Sequence, residues 1–216
     1  MVSTPAYSPL PNPTAERRVL LRDVSWETYE ALLQDMGDRN GTRLTYYQGL
    51  LEITMPSEEH ETASRLIELF ISILTEELGL NIRTLGSTTL RRPELNAGAE
   101  PDDCYYIANE PLVRGRSVDL ERDPPPDLVV EVDISNTDIN KNALYAQIGV
   151  AEFWRYDGQA LTIYQLSQGQ YQEVSFSPTF PWLAKTALYE FLQSCREQGE
   201  TQTKKAFRVW IADQAR

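Results

Sequence analysis

The chain has 216 residues, a formal net charge of −12 and an apolar content of 41%. That is enough for one large domain. No run approaches the ~20 apolar residues that span a bilayer, the N-terminus lacks the apolar centre of a signal peptide, and Cys104 and Cys195 are too few for a disulfide framework. The expectation is a cytoplasmic protein without a membrane segment. Its acidity disfavours a general nucleic-acid binder, since affinity for phosphate comes largely from Lys and Arg. Local basic clusters remain at Arg83, Arg91 and Arg92, and at Lys204, Lys205 and Arg208.

Residues 1–19 hold four prolines and no periodic apolar pattern, which predicts a flexible arm. The remainder, 20–216, reads as a single domain. Ser25 caps a helix through about Gln34, with Trp26, Tyr29, Leu32 and Leu33 as its apolar stripe. Arg43–Tyr47 and Leu50–Met55 form a hairpin about Gln48-Gly49. Ser57 opens the strongest helix. Glu58 and Glu59 suit its first turn, Ala63, Ile67, Phe70, Ile71, Leu74 and Leu78 supply the buried face, and Gly79 marks the stop. His60, the sole histidine, falls on or beside that face.

Strands follow over 81–92, 102–107 and Asp127–Ile134. Asp138 or Thr137 caps a helix through Ile148, ended by Gly149. Glu152–Tyr156, Ala160–Gln165 and Tyr171–Val174 read as an antiparallel ribbon with turns at Asp157-Gly158 and Gln168-Gly169. Helices over about Ala184–Arg196 and Gln202–Asp213 close the chain. The order predicts an α/β (α+β) fold: a mixed sheet flanked by helices, with an N-terminal helix-hairpin and C-terminal helices.

The chemistry concentrates in Asp127-Leu128-Val129-Val130-Glu131-Val132-Asp133. Period-two alternation puts Leu128, Val130 and Val132 on one face, and Asp127, Val129, Glu131 and Asp133 on the other. Core strands tolerate ionised groups only when something pairs with them, and a divalent metal is the economical partner. Asp102, within Glu100-Pro101-Asp102-Asp103, is a second ligand candidate, although a turn role suits it equally. Lys141 shares a helical stripe with Leu144, Tyr145 and Ile148. It is either a charge-stabilising group near the metal or a snorkelling lysine whose ammonium reaches water. His60 is either a packed, hydrogen-bonded residue or an auxiliary group at the metal or phosphate. Trp154, Tyr145, Tyr156 and Tyr164 read as core rather than as a base-stacking platform. Walker, dinucleotide, zinc and serine-elbow motifs are absent.

At these residues the chain resembles the Uma family of restriction endonucleases, within the PD-(D/E)XK nuclease superfamily. The resemblance runs through Leu44–Gly49, Pro56 to His60-Glu61, Gly86–Leu90, Glu100-Pro101-Asp102, Pro125–Asp133, Lys141, Tyr145, Gly149-Val150 and Glu152–Tyr156. It implies a restriction-endonuclease-like core and a Mg²⁺-dependent (or Mn²⁺-dependent) endonuclease acting on DNA. It maps the first catalytic aspartate to Asp102 and the glutamate of the ExK element to Glu131. Asp133 stands where lysine is expected, so the lysine role passes to Lys141 and Asp133 becomes a further ligand candidate. Glu61, Glu100 and Asp127 are second-rank candidates. By analogy with double-strand cutting, a homodimer is expected. The alternatives are a catalytically silent nuclease-like fold serving DNA or protein interaction, or another metal-dependent hydrolase.

Overall fold

The computed structural model describes residues 16–37, 41–135 and 137–214. Two sheets carry the fold, where the sequence predicted one. The first is fully antiparallel, in the order β1 (Arg17–Leu21), β3 (Leu50–Met55), β2 (Arg43–Tyr47), β6 (Ala97–Ala99), β5 (Leu90–Arg92). The second is mixed: β11 (Gln170–Val174), β10 (Leu161–Ser167), β9 (Glu152–Tyr156), β8 (Leu128–Val132), β7 (Asp103–Tyr106), β4 (Arg83–Thr84). Within it β8 and β9 run parallel, joined through α4 (Lys141–Ile148).

Local signals place most elements. Ser25 caps α1 (Trp26–Met36) by accepting from the Thr28 amide, and Ser57 caps α2 (Glu58–Glu77) by accepting from the His60 amide. Gln48 (φ 47°) and Gly49 (φ 86°) both adopt positive φ in the β2–β3 turn, the conformation that matches strand twist in a two-residue hairpin. Gln168 and Gly169 repeat it between β10 and β11.

Four differences from the sequence reading have clear causes. Residues up to 15 of the expected arm lie outside the described residues, but residues 17–19 belong to β1, whose alternating exposure marks an edge strand. The predicted strand over 81–92 is two short strands in different sheets, separated at Gly86 (φ 57°). Strand β6 carries only Ala97, Gly98 and Ala99, too small to give a hydrophobic signal. Finally, α4 is capped by Asn140, which accepts from the Ala143 amide; Thr137 instead donates to Glu52 and accepts from the Ile139 amide.

The mixed sheet is covered on both faces. Leu128, Val130 and Val132 of β8 face α2, α5 (Lys185–Gln198) and α6 (Glu200–Gln214), in a core with Ile67, Phe70, Phe191 and Phe207. Val129 and Phe153 face Leu144, Tyr145 and Ile148 of α4, together with Leu90, Ala97 and Ala99 of the other sheet. Thus α4 is wedged between the sheets, and its first residue, Lys141, arrives beside the C-terminal end of β8. Trp154 and Tyr145 are fully buried, as core. Among the described residues no helix is long and apolar enough to cross a membrane.

Candidate active site

The alternation read from β8 holds. Its apolar side packs on α2, while Glu131 points toward α4, where the Lys141 ammonium meets it at 2.8 Å (Nζ to Oε2). The same ammonium donates to Asp133 Oδ1 at 2.7 Å. A snorkelling lysine would send its head to water; this one is only 5% exposed. Four residues on, one helical turn along the same face, the Tyr145 hydroxyl donates to Glu131 Oε1. Both Glu131 oxygens therefore have partners.

Asp133, just past the strand end, is held by three cations. Besides Lys141 it accepts from Arg155 Nε (2.9 Å) and Arg18 Nη2 (3.1 Å). Arg18 reaches across from β1. It also donates to Glu52 (Nη1 to Oε1, 2.8 Å) and, through Nε, to Ser135 Oγ (2.7 Å) and Glu16 Oε2 (3.2 Å). This network binds the edge of the antiparallel sheet to the end of β8.

Asp102 precedes β7. The register pairs Asp103 with Val130, so one further step brings Asp102 alongside Glu131 at the strand ends. Its Oδ2 accepts from the Val132 amide at 2.7 Å and lies 3.1 Å from His60 Nε2; Arg43 Nε stands 3.2 Å from Oδ1. His60 reaches this position because it sits in the first turn of α2, facing inward, as its helical stripe predicted.

The protonation states follow from burial and neighbours. Burial raises Glu131, Lys141 opposes this, and Asp102 and Asp133 add repulsion; the result is a pKa of about 7. For Asp102, burial acts upward too, but His60, Arg43 and Lys141 outweigh it and hold the group below the usual carboxylate range. Asp133 behaves likewise, with burial overcome by Lys141, Arg155 and Arg18. Burial acts to lower Lys141, yet Glu131, Asp133 and Asp102 keep it charged. Burial also acts to lower His60, and the hydrogen bond and charge of Asp102 raise it instead. Asp102, Glu131 and Asp133 thus all feel one ammonium, and Glu131 feels both other carboxylates.

Hard carboxylate oxygens of this kind suit Mg²⁺ or Mn²⁺, and a cation would relieve the repulsion that adds to burial in lifting Glu131. Among the described residues no group of three or more His, Cys, Asp or Glu forms a ready-made cage. Mg²⁺ needs none, because it is commonly held by one or two carboxylates and keeps several waters.

The second-rank residues make other contacts. Glu100 accepts from the Leu44 amide (2.7 Å) and the Thr89 hydroxyl (3.1 Å), tying β2 to the segment before β5. Asp127 accepts from the amides of Ile107 and Asn109 and from the Asn109 side chain, so it closes the turn after β7. Glu61 is half-exposed and contacts Arg43. Sequence reasoning missed Arg18, Arg43, Arg155 and the polar role of Tyr145. The last was accessible from its spacing to Lys141, and Arg155 from a parallel register opposite Glu131. Arg18 and Arg43 come from the other sheet and left no local signal.

A family model named Uma2, described as "Putative restriction endonuclease", matches residues 26–193. A crystal structure from Anabaena variabilis, described as a putative nuclease belonging to DUF820, aligns at 18% identity with a TM-score of 0.48, over 68% of this chain and 89% of that one. No curated protein matches.

Proposed function

The chain belongs to the Uma2 restriction-endonuclease family, and from this premise we propose that it is a Mg²⁺- or Mn²⁺-dependent endonuclease that hydrolyses DNA phosphodiesters. The observation that carries the reading is the meeting of Glu131 and Asp133 on the buried Lys141 ammonium, with Asp102 alongside Glu131 at the strand end and held ionised in part by the same charge. Asp102 and Glu131, with Asp133 beside them, are the residues to hold the metal. Bound there, it would supply neutralisation of phosphate charge and a water activated at neutral pH.

The chain's own groups do the rest. Tyr145 and Lys141 fix the Glu131 carboxylate, so its orientation is set before substrate arrives. Lys141 is a charged donor in a site shielded from water, where charge developing on phosphate oxygens is stabilised most. His60 holds Asp102 ionised and in place. Lys141, Arg155 and Arg18 together keep Asp133 ionised. The chain from β1 onward acts as one domain in this proposal, and double-strand cutting would use a homodimer of it.

One observation favours a second reading. Both Glu131 oxygens are already bonded within the protein, and Asp133 carries three cations. Such a closed knot also suits a catalytically silent fold that binds DNA or protein. Supercoiled plasmid incubated with Mg²⁺, Mn²⁺ or EDTA separates the two. Metal-dependent relaxation or linearisation, lost in Glu131→Gln, supports the nuclease. A wild type that cuts nothing across metals and DNA forms leaves the silent reading.

A further inference from the structure

A cleft of about 570 Å³ has Arg43, Glu61, Arg65, Thr88, Thr89 and Glu100 along its walls, and Asp102 is buried behind Arg43. Arg43 joins the two. Its Nε is buried 3.2 Å from Asp102 Oδ1, yet the N–H is not aligned to bond and has no hydrogen-bond partner; its Nη1 rests on Glu61 Oε1 at 3.1 Å. Glu61 and Arg65 stand four residues apart on α2, so they follow one another along the same wall. Arg65 is 75% exposed and held only by Glu68, at 2.9 Å, among the described residues. Exposed pairs of this kind are worth only about 0.2–1 kcal/mol and release cheaply.

The acidic residues do not close the cleft to anions. Glu100 is spent on the Leu44 amide and the Thr89 hydroxyl. Glu61 has a 44% exposed side chain and can swing away. We infer that this cleft binds a phosphodiester strand, with Arg43 gripping one phosphate and Arg65 the phosphate beside it. Guanidinium suits the task, because its planar fork meets phosphate oxygens in pairs. Phosphate displaces Glu61 from Arg43 Nη1 and takes its place, while Nε stays against Asp102. The inference rests on the nuclease reading for its substrate class, but its test reads binding rather than cleavage.

Fluorescein-labelled single-stranded and duplex oligonucleotides are titrated with the full chain in Ca²⁺ buffer, and anisotropy is followed across salt concentrations. Arg43→Ala and Arg65→Ala should each weaken binding, by roughly tenfold for Arg43, the scale of one charged hydrogen-bonded contact. On single strands the log–log salt slope should fall by about 0.7 for each phosphate contact removed. Glu61→Gln should tighten binding, since it removes the internal competitor. Arg208→Ala, paired with Glu76 and Glu77 at the opposite end of α2 from Glu61, is the control. Arg65 is exposed, so its variant stays informative even where Arg43→Ala folds poorly. Stronger binding of the single strand or of the duplex identifies which form the cleft takes. An Arg65→Ala protein that binds like Arg208→Ala, or a wild type that binds neither oligonucleotide, overturns the inference. Binding that depends on Arg65 without plasmid cleavage keeps the cleft and removes the nuclease; cleavage with binding indifferent to Arg65 does the reverse.

Discussion

Replacing Lys141 by methionine keeps the length of the stem and removes the ammonium that donates to Glu131 and Asp133. Asp133 retains Arg18 and Arg155, and Glu131 retains Tyr145. Breaking a buried pair costs about 3–5 kcal/mol, because the abandoned charge stays desolvated. Here the loss depends on pH. In the wild type Glu131 has a pKa of about 7, above its ordinary value. Its contribution to stability is therefore full below the ordinary carboxylate range and is lost as pH rises through about 7. Without Lys141, which pulls that value down, the carboxyl holds its proton to still higher pH. The wild type stops losing stability through this group above pH 7, whereas the variant continues. The deficit should widen by about 1.4 kcal/mol per pH unit above 7, until the variant's own Glu131 ionises. Urea unfolding of both proteins at pH 6 and pH 8.5 measures this. Cleavage should also drop by roughly two orders of magnitude, the scale of one preorganised electrostatic group. A methionine variant within about 1 kcal/mol of wild type, with a pH-independent difference, would refute the buried-ammonium argument; near-full cleavage would remove the lysine from the mechanism.

Mg²⁺ or Mn²⁺ should raise the thermal midpoint, by the equivalent of about 2.7 kcal/mol at a hundredfold excess over Kd, and Glu131→Gln should lose most of the shift; an unchanged response places the metal elsewhere. Arg18→Ala leaves Glu52 and Asp133 short of a partner and should destabilise the fold by about 3 kcal/mol, read by chemical unfolding; neutrality would show that β1 does not anchor the site. Gly98→Ala would set a Cβ 2.5 Å from the fully buried Tyr29 hydroxyl. Overpacking of that kind costs about 1–3 kcal/mol, so a calorimetric midpoint equal to wild type would mean that Tyr29 moves aside freely.

Much of this fold was legible locally. Ser25 and Ser57 announced their helices through capping, and Gln48-Gly49 and Gln168-Gly169 announced hairpins through backbone freedom. The alternation of β8 separated Val130 from Glu131, and the stripe on α4 aimed Lys141 at the sheet. The segments that escaped were those without side-chain information. Ala97-Gly98-Ala99 is a strand because Tyr46 and Arg91 flank it in space, with Gly98 paired to both. Strand β1 exists because β3 offers it a free edge.

The sequence by itself determined which side chains could meet along one element: Glu131 with Val129, Lys141 with Tyr145, His60 with the inner face of α2. Periodicity carries that information because strand and helix repeat within a few residues. Tertiary structure alone decided which elements face one another. It brought Arg18 to Asp133 across 115 positions and placed Arg43 against Asp102. It also turned Glu100 and Asp127 to the main chain, where unpaired amides needed acceptors. The same carboxylate type thus serves backbone in one place and a buried cation in another. Its surroundings make the difference: burial and the nearest charge set both its partner and its proton.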